Sequence, residues 1–207
     1  MYEVDRSIKS FRHSVRSIAK RGYDINKLKN YEARCVVEME AWDVYDKQGN
    51  ITGEIKTRND VFHDGEYHLV ASLWIINKNG KLLIQKRSMT KRINPGMWSI
   101  TGGAVKAGES SENACVREVS EEIGLTLNPQ DIELLSRSFG KDIIFDDYVI
   151  IYDFSLTEII LQADEVSEVK WASIDEIKDL FDNGQFMFDD ISELDKVISY
   201  INENVVR

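Results

Sequence analysis

Residues 103–125 read GAVKAGESSENACVREVSEEIGL, and this stretch holds seven charged side chains between two glycine turns. The segment 110–123 is predicted to be a helix that ends at Gly124, because glycine readily adopts the left-handed conformation that closes helices. A charged helix is ordinarily a solvated surface. The spacing of its charges decides whether it is more than that.

The predicted helix separates its apolar and acidic residues. At about 100° per residue, Val116, Val119 and Ile123 share one side. Glu118, Glu121 and Glu122 fall on another side, and the centre of this acidic set lies roughly 140° from the apolar one. Like charges three and four residues apart repel by a few tenths of a kcal/mol per pair, so they do not stabilise an isolated helix. A hard divalent cation reverses that balance, since Mg²⁺ prefers oxygen ligands and takes carboxylates together with substrate phosphates.

The stretch resembles the Nudix box, whose pattern is Gly, five residues, Glu, seven residues, then Arg-Glu-apolar-x-Glu-Glu-x-Gly-apolar. The resemblance covers about residues 37 to 182 and implies an α/β fold, a Nudix-type α/β/α sandwich with a mixed sheet. The residues at the defined positions are Gly103, Glu109, Arg117, Glu118, Val119, Glu121, Glu122, Gly124 and Leu125.

The resemblance also implies a set of site residues. Mg²⁺ or Mn²⁺ would bind a diphosphate, neutralise it and activate water for attack on phosphorus. Glu118 is alternatively the general base, and Arg117 would hold the carboxylates together with Glu109 as its partner. The implied metal ligands are Glu118, Glu121, Glu122 and the carbonyl of Gly102.

Two further groups of charged residues are candidates. Arg87 and Lys91 stand where this family branch places diphosphate-binding cations, although solvated charges at a strand end would give the same pattern. Glu165 lies in the segment QADEVSEVKW, where some Nudix enzymes place the catalytic base or an extra ligand. A polar turn is the other interpretation of that segment.

The sequence ahead of the box resembles the branch related to isopentenyl-diphosphate isomerase, which rearranges a double bond. Its segments here are WDVYDKQGNITG, EYHLVASLWIIN and LLIQKRSMTKRINPGMW. By this resemblance the catalytic Cys position of the isomerase is Gly102, and a metal-binding His position is Ala104. His68 does match a second metal-binding His. The missing Cys and the complete box favour hydrolysis.

The function implied by the resemblance is Mg²⁺-dependent hydrolysis of a nucleoside diphosphate linked to another moiety, or of a similar organic diphosphate. The alternatives are an isomerase of isopentenyl diphosphate and a non-catalytic Nudix ligand-binding regulator. The complete box counts against a regulator, because a regulator can lose box glutamates without consequence.

The remaining pattern is that of one α/β domain with a mixed sheet. A capping box at Ser173 and Glu176 predicts a helix over 174–181, and an apolar stripe from Ile191 to Ile201 predicts another. The predicted strands are 36–46, 68–77, 81–87, 132–139, 146–156 and 166–173. The strands 68–77 and 81–87, with the turn signal Asn79-Gly80 between them, are predicted to form a hairpin. The first of them is nearly all apolar, so it should be central in the sheet.

The charge divides the chain near residue 35. Residues 1–35 hold nine Lys/Arg and four Asp/Glu, a net of +5, which leaves 17 and 32 for the rest, a net of −15. We therefore expect a basic amphipathic helical extension over 1–35 and the Nudix hydrolase domain over 36–207. A basic helix of this kind could contact RNA or a membrane surface. The other interpretation is that its apolar stripe needs burial, either on its own domain or on a second subunit in a homodimer.

The composition of the chain limits the classes of partner and the compartment that we expect for it. The net charge of −10 argues against general nucleic-acid affinity. Residues 1–18 contain no apolar core of a signal peptide, and no apolar run approaches eighteen residues. Cys35 and Cys115 fit free thiols in a reducing compartment. We expect a cytoplasmic protein with a small-molecule diphosphate substrate, no specific nucleic acid and no membrane.

Overall fold

The structure is a computed structural model that describes residues 40–187 and 191–205. Within those residues no helix is both long and apolar enough to cross a membrane. The elements are β1 (Ala41–Tyr45), β2 (Ile51–Thr57), β3 (His68–Ile76), β4 (Leu82–Arg87), β5 (Trp98–Ser99), β6 (Thr101–Ala104), α1 (Ser111–Ile123), β7 (Glu133–Phe139), β8 (Ile143–Ile151), a 3-10 turn (Leu156–Glu158), β9 (Val166–Ala172), α2 (Ile174–Asp182) and α3 (Ser192–Asn204).

Strand β3 lies at the centre of a mixed sheet of order β5-β4-β3-β8-β7, with β6 paired to β3 and β9 to β4. Strands β3 and β8 run parallel along their whole length, from His68 opposite Ile143 to Ile76 opposite Ile151. The central position predicted for this apolar strand is confirmed, because a strand buried on both faces needs apolar residues throughout.

The hairpin predicted between β3 and β4 exists only at its turn. The recorded pairing is Ile76 opposite Leu82. Beyond that point β6 lies beside β3, while β4 pairs with β9 from Leu82 opposite Ala172 to Arg87 opposite Val166. Strands β2, β5 and β6 were not predicted, because β2 is exposed and the other two are only two and four residues long.

Helices cover both faces of the sheet, which confirms the α/β/α sandwich. Leu73 and Ile75 of β3 are buried together with the apolar side of α1. Trp74 and Ile76 point to the opposite face, where they are buried with residues of α2 and α3. This alternation follows from the two-residue period of a strand, whose successive side chains point to opposite faces.

The helix that carries the box begins and ends as predicted. The hydroxyl of Ser110 accepts a hydrogen bond from the backbone N–H of Asn113, and Gly124 closes the helix in the left-handed region with φ of 74°. At α2, Ser173 and Glu176 form the predicted reciprocal capping box. These end signals fix α1 against the sheet and so position its acidic side.

The N-terminal extension predicted over 1–35 lies outside the described residues, so that domain boundary stays a prediction. Strands β1 and β2 form a separate two-stranded sheet at the start of the described chain. The isolated bridge between Tyr45 and Tyr67 connects this hairpin to the segment ahead of β3. The backbone N–H of Ala107 donates to the Ala41 carbonyl at 2.8 Å and that of Gly108 to the Asp43 carboxylate at 2.7 Å, so the hairpin also contacts the loop ahead of α1.

Candidate active site

A cleft of about 540 Å³ opens between α1, the loop after β4 and the segment ahead of β9. It brings together residues that are up to 125 positions apart in the chain, from Glu40 to Glu165. All eight residues predicted as metal ligands, catalytic groups or diphosphate-binding cations line this cleft. They are Arg87, Lys91, Gly102, Arg117, Glu118, Glu121, Glu122 and Glu165.

Arg117 is the centre of the acidic wall. Its guanidinium donates to both carboxylate oxygens of Glu109 at 2.9 and 3.0 Å, which is the predicted pairing. It also donates to Glu118 at 2.5 Å, to Glu121 at 3.1 Å and to the carbonyl of Ala104 at 3.1 Å. The planar fork of arginine suits such simultaneous bonds, which a lysine ammonium makes less well. Arg117 therefore offsets the like-charge repulsion on this side of α1.

Of the three glutamates predicted as metal ligands, Glu122 is the most buried, with 6% of its surface exposed. The amide of Gln85, on β4, donates to its carboxylate at 2.7 Å, and the hydroxyl of Thr101 donates to the Gln85 carbonyl oxygen at 3.1 Å. Burial raises the pKa of Glu122 to about 7, because desolvation disfavours the charged form more than the Gln85 bond favours it.

Glu118 lies where α1 comes closest to β6. A side-chain carbon at Gly103 would stand 2.5 Å from the Glu118 carboxylate, so only glycine leaves room for that group. Burial also raises the pKa of Glu118, although the bond from Arg117 opposes the shift. The first glycine of the box thus has a direct role in placing an acidic side chain at the cleft wall.

The donors of this wall suit a hard divalent cation. Three carboxylates and the Gly102 backbone line one side of the cleft, and oxygen is the ligand atom that Mg²⁺ prefers. Within residues 40–187 and 191–205, however, no group of three or more His, Cys, Asp or Glu side chains has an arrangement that could hold a metal ion. The reason is visible in the bonds above, since Glu118 and Glu121 point to Arg117 and Glu122 points to Gln85.

The basic wall is formed by the loop after β4. Arg87 donates through Nε to the carbonyl of Ile93 at 3.3 Å, which folds the loop back on itself. The ammonium of Lys91 bonds the carboxylate of Glu165. Arg92 also lines the cleft. A predicted substrate cation and the predicted catalytic carboxylate are therefore direct partners.

Some neighbouring charges lie elsewhere. The ammonium of Lys86 lies 5.6 Å from the centre of the Trp98 ring and does not line the cleft. Glu168 is exposed on β9, opposite Lys86 in the sheet register. Among the described residues, Glu165 is therefore the one acidic side chain of this segment that lines the cleft.

The sequence analysis missed Gln85, the partner of Glu122, and several residues that line the cleft. Gln85 had a usable signal, because a polar side chain in the apolar run LLIQKR needs a buried partner. No signal indicated Glu40, Arg58, Asn59 or Gln162, which reach the cleft from the start of β1, the loop after β2 and the segment ahead of β9. Their placement depends on tertiary contacts that no local pattern encodes.

The positions that matter for isomerase chemistry are filled differently. A side-chain carbon at Gly102 would stand 2.6 Å from the carbonyl oxygen of Ala71 and 2.8 Å from the Ser72 Cα, so the backbone leaves no room for a Cys. His68 packs against Trp42, with ring centres 4.4 Å apart, and against Phe62 at 5.4 Å. Among the described residues its Nδ1 is one of two buried side-chain polar atoms without a hydrogen-bond partner.

Comparisons with known proteins agree with this geometry. A model of the NUDIX domain matches residues 66–189. An uncharacterized Nudix hydrolase of Listeria innocua is 34% identical over 151 residues, which are 72% of this chain and 89% of the relative. An isopentenyl-diphosphate Delta-isomerase of Citrobacter koseri is 29% identical over 138 residues, 64% of this chain and 76% of that enzyme.

The fold is also found among solved structures. The crystal structure of the Deinococcus radiodurans protein DR0079 matches with a TM-score of 0.62 at 22% identity, over 75% of this chain and 96% of that one. At this identity the likeness concerns the fold alone. Together with the matched domain model and the 34% identity to a Nudix hydrolase, these findings establish that the chain belongs to the Nudix hydrolase family.

Proposed function

We propose that this chain is a Mg²⁺-dependent hydrolase that cleaves the diphosphate linkage of a nucleoside diphosphate joined to another moiety, or of a similar organic diphosphate. The observation that carries this proposal is the pairing of two walls in one cleft. Carboxylates on α1 face cations of the loop after β4 across a volume of about 540 Å³, which is ample for a small organic diphosphate.

Each wall has its own role in binding. Arg87 and Lys91 would bind the phosphate oxygens, since guanidinium and ammonium groups form charge-assisted hydrogen bonds to phosphate. The metal, Mg²⁺ or Mn²⁺, would be held by Glu118, Glu121, Glu122 and the Gly102 carbonyl. When bound it would neutralise the diphosphate and lower the pKa of a bound water.

Binding of the cation would require a rearrangement on α1. Glu118 and Glu121 accept hydrogen bonds from Arg117, so a cation held by these two carboxylates would compete with the guanidinium for them. Arg117 would keep Glu109 as its bidentate partner and stay neutralised. The positive charge would then remain close to the acidic wall.

The reaction would be a displacement at phosphorus. The oxygen of a water molecule forms a bond to phosphorus, the bridging P–O bond breaks, and the leaving phosphate group takes the electron pair of that bond. The proton of the water passes to a carboxylate, for which Glu118 and Glu165 are the two candidates within the cleft. Arg87 and Lys91 would hold the diphosphate in place while this occurs.

A panel of organic diphosphates, incubated with the protein and Mg²⁺ and followed by ³¹P NMR, tests the proposal. Hydrolysis is expected to appear as two phosphorus-containing products, and to stop when EDTA removes the cation. Proton NMR of isopentenyl diphosphate in the same buffer would detect dimethylallyl diphosphate if the protein were an isomerase. Binding of a diphosphate without any turnover across the panel would instead favour a ligand-binding regulator.

A further inference from the structure

The contact between Lys91 and Glu165 joins two parts of the cleft that have opposite charge. Lys91 lies on the loop after β4 and Glu165 precedes β9. The two residues are 74 positions apart in the chain. Their side chains are 26% and 31% exposed, and both line the cleft. A cation that faces the substrate space is therefore already neutralised by a carboxylate of the same cleft.

This pairing poses an electrostatic problem for an anionic substrate. A diphosphate that approaches Lys91 meets the negative charge of Glu165 at the same point. Like charges within a few ångströms repel, and the repulsion is stronger where protein walls exclude part of the water. The diphosphate and the Glu165 carboxylate therefore compete for one ammonium group.

We propose that Glu165 is the counterion of the phosphate subsite, which occupies Lys91 in the empty cleft and releases it when the diphosphate enters. This inference rests on the proposed function, because it requires a diphosphate at Lys91. It assigns Glu165 an effect on substrate affinity that is separate from any part in proton transfer. In the empty cleft, Glu165 weakens the binding of anions.

The backbone around the pair allows the side chains to part without unfolding the loop. The N–H of Ser88 donates to the Glu165 carbonyl at 2.8 Å, and the hydroxyl of Thr90 donates to the Asp164 carbonyl at 3.2 Å. These bonds hold both segments together independently of the ion pair. Partly exposed ion pairs contribute little stability, so exchange of one anion for another costs little.

The test measures the affinity of the full chain for inorganic pyrophosphate in Mg²⁺ at fixed ionic strength by calorimetry. Glu165→Gln should tighten binding about 3- to 10-fold, because the competing charge is gone and Lys91 is free. Lys91→Gln should weaken binding. In the Lys91→Gln background, Glu165→Gln should lose most of its effect, since the two residues act through one contact. Glu168→Gln, the same charge change outside the cleft, is the control and should leave the affinity unchanged.

The outcomes separate this inference from the proposed function. If the parent binds pyrophosphate but Glu165→Gln binds it equally or more weakly, the counterion role is wrong. An undiminished gain from Glu165→Gln in the Lys91→Gln background would also overturn it, because the effect would not pass through Lys91. If the parent neither binds pyrophosphate nor hydrolyses any diphosphate of the panel, the proposed function fails and the inference fails with it.

Discussion

Arg117 donates hydrogen bonds to both carboxylate oxygens of Glu109 at 2.9 and 3.0 Å, and the two residues are 8 positions apart in the chain. The same guanidinium reaches Glu118 and Glu121. One cation thus joins the loop ahead of α1 to the acidic side of that helix. Its guanidinium compensates a group of carboxylates that would otherwise repel each other.

Replacement of Arg117 by Gln should therefore destabilise the metal-free protein. Its side chain is 19% exposed, and its loss leaves Glu109 and Glu118 with uncompensated charge, so we expect a loss of about 2 kcal/mol in the free energy of unfolding. Arg117→Lys should recover only part of this, because an ammonium cannot form the bidentate bond. Urea denaturation in EDTA measures both.

The matched control is Arg58→Gln, which removes an arginine from a pair with Glu40 whose arginine side chain is 62% exposed. That change should alter the free energy of unfolding by less than about 1 kcal/mol. If Arg117→Gln and Arg58→Gln unfolded alike, Arg117 would be one more surface charge and not the centre of the acidic wall.

The box helix could be predicted from the sequence because its signals are local. The Ser110 cap, the apolar residues Val119 and Ile123 and the closing glycine Gly124 all act within one or two turns of the chain. The spacing of the glutamates likewise placed them on one side of the helix. What spacing could not predict is that Glu122 is buried, because this depends on Gln85 in a strand 37 positions away.

The partners of the central strands could not be predicted for a related reason. The turn at Asn79 and Gly80 indicated a hairpin, yet β6 displaces β4 from most of β3. Strand β6, the short run TGGA, has no apolar alternation, and its place depends on the close approach that Gly102 and Gly103 allow. Local patterns predicted the strands that carry the core and missed the one that carries the site.

The histidine at position 68 gives a prediction on pH dependence. Burial against Trp42 and Phe62 lowers the pKa of His68 in the folded state, although nearby acidic residues oppose the shift. The unfolded chain then takes up a proton at a higher pH than the folded chain, so this residue makes the protein less stable as pH falls below about 6.5.

His68→Phe keeps an aromatic ring and removes that titration. The free energy of unfolding of the variant should rise relative to the parent as pH falls from 7 to 5, in paired urea titrations with EDTA. A difference between parent and His68→Phe that stays constant with pH would contradict the prediction.

The two glycines ahead of the box should respond differently to a methyl group. At Gly102 the added carbon meets backbone atoms of β3, the Ala71 carbonyl oxygen at 2.6 Å among them, so Gly102→Ala should lose about 2 kcal/mol of stability. At Gly103 it meets the end of the Glu118 side chain, which can move. Gly103→Ala should therefore lower the free energy of unfolding less than Gly102→Ala does, and should lower the rate of turnover more. Urea denaturation and initial rates measure the two effects.

The same contacts bear on the isomerase alternative. Gly102→Cys combined with Ala104→His restores two side chains of the isomerase pattern, but the Cys carbon meets the same backbone atoms as the alanine. We expect a less stable protein that yields no dimethylallyl diphosphate from isopentenyl diphosphate, as followed by proton NMR. Formation of that product by the parent or by the variant would overturn the hydrolase proposal.

Removal of residues 1–35 tests the domain boundary. Among the residues that the structure describes, those of the cleft lie between 40 and 165, so the truncated chain should keep metal-dependent turnover within about tenfold of the parent, or roughly 1.4 kcal/mol of barrier. Initial rates on any substrate found by the panel measure this. A soluble, folded truncation without activity would show that the extension contributes to the site, either from its own subunit or across a homodimer.

The prediction that tests the proposed metal site most directly concerns Glu118, Glu121 and Glu122. Glu118→Gln, Glu121→Gln and Glu122→Gln keep the shape of the side chain and remove a negative charge, so each tests the metal role more than packing. Each change should lower Mg²⁺ affinity or kcat by about 100-fold or more, as loss of a preorganised charged group commonly does. Calorimetry with Mg²⁺ and initial rates across Mg²⁺ concentrations measure the two effects separately.

The metal-free stability of these variants gives a second, independent observation. Arg117 already compensates Glu118 and Glu121, so their substitution removes charge-assisted bonds and should not stabilise the protein. Glu122 has Gln85 as its partner and is buried, so a neutral amide there relieves the cost of burying a charge and should hold or raise stability. Glu112→Gln changes the same helix outside the cleft, and should leave Mg²⁺ binding and turnover nearly unchanged. If all three box variants bound Mg²⁺ and turned over as Glu112→Gln does, the acidic side of α1 would be a solvated surface, and the proposed hydrolase site would have to lie elsewhere.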